Sequence, residues 1–297
     1  MDSRDSVAWN AYRDAERLAD LSLATELDHH LDHEPDHRRR AAAYFAIGKI
    51  GKNTGNEECA RILIAYALRE KNKYALAALL EGLVDLRKPK SLDLAPVLAL
   101  IEDKRWLVRH SAIRALAHAN PEVAEGPLLE RASRTTDTYD LTYVNAILRS
   151  VGTERSVPYL SHASHSRKED VAASAVAALS KIAGPAQLSL YIEMLEAGWR
   201  AVKWGAMAAI ADHGDKAAIP AVVNRIGRIL TRRRTIVQLP QSELLRGLTF
   251  LYRFKGLDPR VDDLFDRILP RKAKYLIGNE PAEILALTHD QRDAQTT

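Results

Sequence analysis

The sequence predicts an all-α protein, an α-solenoid of about six to seven stacked helix pairs. Two observations support this prediction. Alanine and leucine, both strong helix formers, account for 45 and 39 of the 297 residues, whereas phenylalanine, tryptophan and tyrosine together account for 18. A pattern of apolar and small residues also recurs about every 31 residues, which is the sequence signature of a repeat architecture. No extended segment shows the alternation that indicates β-strands.

The first helix of each repeat is marked by an apolar residue that follows a mostly small residue by four positions. Positions i and i+4 lie on one helix face, so the small residue lets the next helix approach closely. The apolar positions, 31 to 36 residues apart, are Ile47, Leu83, Leu116, Leu148, Leu179 and Ile210, and those four before them are Ala43, Leu79, Ala112, Val144, Ala175 and Ala206.

The second helix of each repeat is marked by proline. Pro96, Pro127, Pro158 and Pro220 share one register, and Ser189 occupies the remaining position. Proline is tolerated in a first helical turn, where its missing N–H costs no intrahelical hydrogen bond. We therefore expect each proline to lie early in a second helix.

These registers set the expected organisation of the chain. A lone helix pair cannot bury its apolar face, so neighbouring pairs must share one core. Asp258 and Pro259 are expected to start a late helix as N-cap and first helical residue. The expected segments are an N-terminal capping helix within 1–35, repeats one to six over 36–230, a basic inserted loop over 231–241, a degenerate seventh repeat beginning near Ser242 with C-terminal capping helices to 292, and a disordered tail over 293–297.

Residues 102–116 carry a resemblance to a known family. They contain an acidic turn, then Val-Arg, then alanine and leucine at helical spacing. Further matches are Arg40 before Ala43 and Ile47, and Val202-Lys203 before Ala206 and Ile210. This pattern resembles HEAT repeats, in the short bacterial form that is similar to the repeats of phycobilin lyases. The resemblance covers about 200 residues. It implies a curved surface for binding protein or nucleic acid, and little about a specific role.

Composition excludes several classes of protein. The formal net charge is +4, with 28% charged and 46% hydrophobic residues, which is too apolar for a disordered chain. The longest apolar runs are far shorter than the roughly 20 residues of a membrane span. The N-terminus lacks the pattern of a secretory signal, and the single cysteine, Cys59, cannot form an internal disulfide. We expect a cytoplasmic protein with no cofactor.

One catalytic motif occurs, the H-E-x-x-H pattern of His33, Glu34 and His37. In zinc proteases this motif holds a metal on one helix face. Pro35 would disrupt such a helix, and the repeat register instead places the motif in a turn between repeats. We expect no metal, and His33 and His37 remain candidate ligands only for a less favoured metal-dependent enzyme.

Tryptophans provide a different candidate site. HEAT-like alkylpurine DNA glycosylases combine a basic concave face with tryptophans, which makes Trp106, Trp199 and Trp204 candidates for stacking on nucleic-acid bases. However, Trp106 and Trp199 are 93 residues apart, which is three repeats, and both fall at the starts of first helices. An aromatic ring there commonly seals a turn, so we expect a packing role.

Charge is distributed unevenly along the chain. Residues 1–37 hold ten acids and three bases, whereas residues 200–274 hold seven acids and sixteen bases. Three arginines occur where the repeat spacing stretches to about 41 residues, and insertions in solenoids often lie on a binding face. The candidate partner-binding residues are Arg200, Lys203, Arg228, Arg232, Arg233 and Arg234.

A further set of bases recurs at one register of the repeat. Arg40, Arg109 and Lys203 each precede the small and apolar residues of a first helix. We expect them to tie successive repeats together by pairing with acids of the turns.

These features favour a non-enzymatic scaffold or adaptor that binds a partner protein with an acidic surface, as an inhibitor or immunity-type protein would. The partner is expected on the concave face or on the basic C-terminal surface. Nucleic-acid binding is the alternative, since basic grooves bind phosphates. No membrane association and no small-molecule substrate are expected.

Overall fold

A computed structural model of the chain describes residues 7–231, 234 and 242–294. Within these residues the fold is all-α, as predicted, and no β-strand occurs. None of the helices in these ranges combines the length and the apolar character needed to cross a bilayer. The chain divides into two compact units, Met1–Ser156 (unit 1) and Val157–Thr297 (unit 2).

Unit 1 is built from helices that pack against their neighbours in sequence order. The first helices of its pairs form one row, in which α3 packs on α5, α5 on α7 and α7 on α9. The helices are α1 (Val7–Ala15), α2 (Leu21–Leu31), α3 (His37–Thr54), α4 (Glu58–Ala67), α5 (Lys73–Leu83), α6 (Ala95–Leu100), α7 (Trp106–Ala115), α8 (Pro121–Arg134) and α9 (Thr138–Val151), followed by a 3₁₀ turn at Glu154–Ser156.

Unit 2 follows the same scheme. The first helices α11, α13 and α15 pack on one another in order, and the second helices α12, α14 and α16 do likewise. The helices are α10 (Val157–Ala163), α11 (Glu169–Ile182), α12 (Leu188–Ala197), α13 (Arg200–His213), α14 (Ile219–Ile229), α15 (Glu243–Tyr252), α16 (Pro259–Asp263), α17 (Leu269–Lys272) and α18 (Glu280–Ala294), with a π-helical turn at Leu264–Ile268 and 3₁₀ turns at Gly184–Gln187, Lys216–Ala218 and Ala273–Tyr275.

The predicted repeat register forms the core. All six apolar register residues, from Ile47 to Ile210, are 0% exposed, and the residues four positions before them are also buried. Two of the first helices, α3 and α5, approach each other closely at Gly48 and Gly82. A Cβ added to Gly48 would lie 2.7 Å from Gly82 Cα, so only glycine permits this contact.

Polar side chains fix where the first helices begin. Asp36, Asn72 and Asp137 each accept a hydrogen bond from a backbone N–H of the first turn, which caps α3, α5 and α9. In unit 2, Ser242 caps α15 and Asp258 caps α16. Both positions confirm the helix starts expected from the sequence.

Three local expectations were wrong. Residues 7–31 form two helices rather than one capping helix, because the side chain of Asp20 caps a new helix by accepting from Ser22 N–H. Pro127 lies inside α8 rather than near its start, because Asn120 and Pro121 begin that helix earlier. The other prolines of this register and Ser189 occupy second helical positions, as expected. Finally, α18 continues to Ala294, past the start of the expected tail.

Candidate interaction surface

Arg40 connects the first two helix pairs of unit 1. Its Nε donates to Glu70 Oε2 at 2.7 Å and its Nη2 to Glu70 Oε1 at 3.0 Å. Its Nη1 donates to the carbonyls of Glu34 and Pro35 in the preceding turn, at 3.0 and 2.8 Å. Because Glu70 lies in the turn before α5, this arrangement confirms that Arg40 ties repeats together by pairing with a turn acid.

Arg109 repeats this geometry two helix pairs later. Its Nε donates to Asp140 Oδ1 at 2.9 Å, and its Nη1 donates to the carbonyl of Asp103 at 2.9 Å. Asp140 lies in the first turn of α9, is fully buried, and also binds Arg131. Burial raises the pKa of Asp140, but the hydrogen bonds from Arg131 and Arg109 outweigh this effect and lower its pKa below the usual range.

Three aromatic side chains project from the N-terminal ends of successive first helices. Tyr74 of α5, Trp106 of α7 and Tyr139 of α9 are 60%, 63% and 65% exposed. Side chains on a helix lean toward its N-terminus, so residues in the first or second helical position extend past the helix end. The expectation that Trp106 seals a turn was therefore wrong. It was also wrong for Trp199, the N-cap residue of α13, which is 54% exposed.

Exposed lysines accompany these rings. Lys71 and Lys73 flank the start of α5, Lys104 precedes α7, and Lys73 Nζ lies 4.9 Å from the ring centroid of Tyr74. We call the surface formed by Tyr74, Trp106, Tyr139, Lys71, Lys73 and Lys104 the aromatic edge.

The turns that carry the aromatic edge are tied to one another. Arg105 Nη1 donates to the carbonyl of Lys71 at 3.1 Å, which links the turns before α5 and α7. Asp103, the acid beside Lys104, is bound by Arg105 through Nε and Nη2. Asp137 caps α9. With its acids bound in this way, the aromatic edge presents positive charge.

His110 joins two rings of the aromatic edge. Its ring centroid lies 5.6 Å from that of Trp106 and 6.0 Å from that of Tyr139. His110 Nε2 lies 2.9 Å from Asp140 Oδ1, although the geometry there does not form a hydrogen bond. The rings of α7 and α9 therefore form one continuous aromatic contact.

A metal ion does not fit the polar cluster beneath these rings. His110, Asp137 and Asp140 offer ligand atoms within 4.8 Å of one another, and theirs is the one such group in the part of the chain that the structure describes. However, two guanidinium groups, from Arg109 and Arg131, already bind Asp140. Their positive charges oppose a divalent cation, so the cluster is an internal ion-pair network.

The H-E-x-x-H segment lies in a turn, as its register predicts. Residues 32–36 are not helical, and His37 is the first residue of α3. The side chain of Glu34 accepts from the backbone N–H of Asp36 at 2.8 Å and lies 2.9 Å from His30 Nε2. His33 is exposed, so the two histidines and the glutamate do not share the helix face that the zinc motif requires.

The predicted basic residues of unit 2 are placed differently from one another. Arg200 and Arg228 are exposed, and Lys203 is half-buried in the first turn of α13. Arg234 is bound through Nη1 and Nη2 to the buried carboxylate of Glu280, at 2.8 and 2.6 Å. The guanidinium of Arg234 thus holds the start of α18 instead of facing a partner. Arg232, Arg233 and most of the predicted basic loop lie outside the described residues.

Sequence reasoning missed Tyr74, Tyr139 and Arg246. The two tyrosines stand 32 residues before and 33 residues after Trp106, so a search for exposed aromatics at the Trp106 register would have found them. Arg246 lies over the ring of Trp204, with its Cζ 4.7 Å from the ring centroid. The repeat spacing is longer before α15, so the register could not predict which residue of α15 lies against Trp204.

No protein-family profile matches the sequence, and no curated protein shows significant similarity to it.

Proposed function

We propose that the chain is a non-enzymatic HEAT-repeat scaffold or adaptor that binds a partner protein with an acidic surface through the aromatic edge of unit 1. One observation carries the proposal: three aromatic side chains, each at least 60% exposed, stand at the same end of three successive first helices. Tryptophan and tyrosine dominate the binding energy of protein interfaces, and exposed apolar groups in a row mark interaction sites.

The aromatic edge is held in place before any partner binds. The pair of Arg40 and Glu70, the pair of Arg109 and Asp140, and the hydrogen bond from Arg105 to Lys71 connect the turns that carry the rings. A preorganised surface loses less conformational entropy on binding. A helix end that only faces solvent does not need such connections, so this rigidity supports a binding role.

The charge of the aromatic edge indicates the chemistry of the partner. Lys71, Lys73 and Lys104 surround the rings, while the nearby acids cap helices or bind arginine. Positive charge at the rim of an interface attracts acidic partners and raises the association rate. An inhibitor or immunity-type role agrees with this surface. A cytoplasmic location agrees with the free thiol of Cys59, which is buried; burial raises the pKa of this thiol.

To test the proposal, a photo-crosslinking amino acid is incorporated at Tyr74, Trp106 or Tyr139 in the cells that naturally make the protein. We expect the same protein to be captured from all three positions and identified by mass spectrometry. The matched control is Leu257 of unit 2, which is also strongly exposed and should not capture that protein. Equal capture at Leu257, or no common protein at the three positions, would overturn the proposal.

The captured partner then allows a quantitative test. We expect W106A to weaken binding about 30-fold, as loss of an interface hot spot does, and Y74A and Y139A to weaken it less. Leu257→Ala is the control and should leave the dissociation constant unchanged. Circular dichroism establishes that each variant stays folded.

The same rings support a second function, the binding of single-stranded nucleic acid. Trp106 and Tyr139 provide two exposed rings that the buried ring of His110 connects, and lysines lie beside them. Sequence-tolerant single-strand sites combine aromatic rings and positive charge in this way. Fluorescence anisotropy with labelled single-stranded DNA and RNA tests this function. Binding that weakens steeply with salt and is lost in W106A would support it, and a flat titration at low salt would exclude it.

A further inference from the structure

Two side chains of unit 2 that contact each other each carry a buried hydrogen-bond donor without an acceptor. The donors are the indole Nε1–H of Trp204 in α13 and the Nε–H of Arg246 in α15, and neither has a hydrogen-bond partner among the residues that the structure describes. Buried donors are almost always paired in native proteins, because an unpaired one costs about 1–3 kcal/mol of desolvation. Two such donors on side chains that touch indicate that an acceptor from outside the chain binds there.

The two side chains are held against each other. The guanidinium carbon of Arg246 lies 4.7 Å from the ring centroid of Trp204, a cation–π contact that fixes the orientation of both groups. The helices α13 and α15 that carry them pack directly on one another. The donors are therefore presented from a rigid part of unit 2.

Arg246 also lacks a carboxylate. Glu243, one turn earlier on the same helix, is already bound through both oxygens by Arg225, at 2.6 and 2.8 Å. Within the described ranges, Arg246 forms no ion pair. Arg200, exposed and one helical turn before Trp204, adds a second positive charge on the same face of α13.

In unit 1, the residue at the repeat register of Trp204 is His110, and this residue does contact a carboxylate. His110 follows Arg109 as Trp204 follows Lys203, at one register of the repeat. There the neighbouring helix α9 provides Asp140, which binds Arg109 and Arg131 and contacts His110. In unit 2 the neighbouring helix α15 also provides a carboxylate, Glu243, but Arg225 binds it, and Trp204 contacts Arg246 instead of an acid. Both side chains of that contact are therefore donors.

We propose that Trp204 and Arg246 form a binding site for one oxyanion, a carboxylate or a phosphate group, with Arg200 contributing charge. The guanidinium would donate charge-assisted hydrogen bonds to the oxyanion, and the indole N–H would donate one more. This proposal concerns unit 2 and does not rest on the partner-binding role of the aromatic edge.

The experiment follows the indole N–H signals of the ¹⁵N-labelled full-length chain by NMR. The signal absent from W204F is that of Trp204. Sodium acetate and sodium phosphate are titrated separately, with sodium chloride added to keep ionic strength constant. We expect the Trp204 signal to move downfield and to saturate. Saturation at lower phosphate concentration assigns a phosphate site, and saturation at lower acetate concentration assigns a carboxylate site.

Variants separate a specific site from a general effect of charge. R246Q should weaken binding at least about tenfold, as the loss of a charge-assisted hydrogen bond predicts. R228Q removes one exposed arginine elsewhere in unit 2 and should bind as the wild type does. No movement of the Trp204 signal, movement without saturation, or equal movement in R246Q would overturn the proposal.

Two further variants keep the proposal testable if R246Q fails to fold. R246K retains the charge but loses the planar fork of donors, and we expect it to bind about fivefold more weakly. W204F keeps an aromatic ring under Arg246 and removes only the N–H donor; fluorescence-detected thermal shift with the better anion should show a smaller stabilisation than in the wild type. Unchanged binding in both variants would overturn the proposal.

Discussion

The guanidinium of Arg40 and the carboxylate of Glu70 form a two-point ion pair between successive helix pairs, with N–O distances of 2.7 and 3.0 Å. The same guanidinium donates to two carbonyls of the turn before α3. One side chain thus joins the preceding turn, its own helix and the turn before α5. Since the side chain of Glu70 is only 2% exposed, its negative charge depends on Arg40 rather than on bulk water for stabilisation.

We predict that R40M lowers the free energy of unfolding by about 3 kcal/mol, because it leaves the buried carboxylate of Glu70 without its charged partner. Urea denaturation followed by circular dichroism measures the change. The control is R61M, which removes the exposed ion pair between Arg61 and Glu58 and should have little effect. Equal effects of the two substitutions would contradict the prediction.

We predict that the protein loses stability steeply below about pH 4. Burial raises the pKa of Glu70 and of Asp140, but hydrogen bonds from arginine lower both pKa values overall. The unfolded chain therefore binds these protons at higher pH than the folded chain, so the stability present above the unfolded pKa is lost as pH falls through the folded pKa. Urea denaturation at pH 7, 5, 4 and 3 measures this loss.

The variant D140N isolates one part of that pH dependence. It should be less stable than the wild type at pH 7, because Arg109 and Arg131 lose a charged partner. Its stability should also change less between pH 5 and pH 3, because one carboxylate no longer titrates. An unchanged pH profile would show that Asp140 does not contribute.

The features that recur in every repeat could be predicted from the sequence, whereas features that depend on a single local contact could not. The register residues from Ile47 to Ile210 are buried because every repeat needs the same helix contact. The exposure of Trp106 was not predicted, since the burial of a ring at a helix end depends on which side chains lie next to it in the folded protein. The contact of Arg246 with Trp204 was also missed, because it crosses the stretched spacing before α15.

We predict that K88M lowers the free energy of unfolding by about 3 kcal/mol. Lys88 is buried, and its Nζ donates to the carbonyls of Leu83, Leu86 and Ala117 at 2.7, 3.0 and 2.7 Å. Leu83 is the last residue of α5, and Leu86 and Ala117 follow the ends of α5 and α7. Carbonyls at helix ends lack the donors of a continuing helix. Methionine would fill the space but remove the Lys88 donor from all three carbonyls, of which that of Leu83 keeps a hydrogen bond from Leu86 N–H at 3.2 Å. K90M, at an exposed neighbouring lysine, is the control in urea denaturation.

Lys88 also predicts a response to alkaline pH. Burial lowers the pKa of Lys88 to about 8, whereas an unfolded lysine keeps its proton to about pH 10.4. Between these values the unfolded chain binds more protons, so the contribution of Lys88 to stability rises with pH. We expect the difference in unfolding free energy between the wild type and K88M to grow from pH 8 to pH 10. A difference that stays constant would contradict the prediction.

We predict that His118→Gly stabilises the protein by about 1 kcal/mol. His118 follows the end of α7 with φ of 59°, the one non-glycine residue with positive φ among those described, and its side chain is exposed. A left-handed conformation strains a residue with a Cβ, and glycine adopts it freely. The opposite change, Gly55→Ala at φ of 70°, should destabilise by a similar amount, since a Cβ there meets nothing within 4 Å and only the backbone is strained. Midpoints of urea denaturation compare the two variants, and a change of the same sign in both would contradict this account.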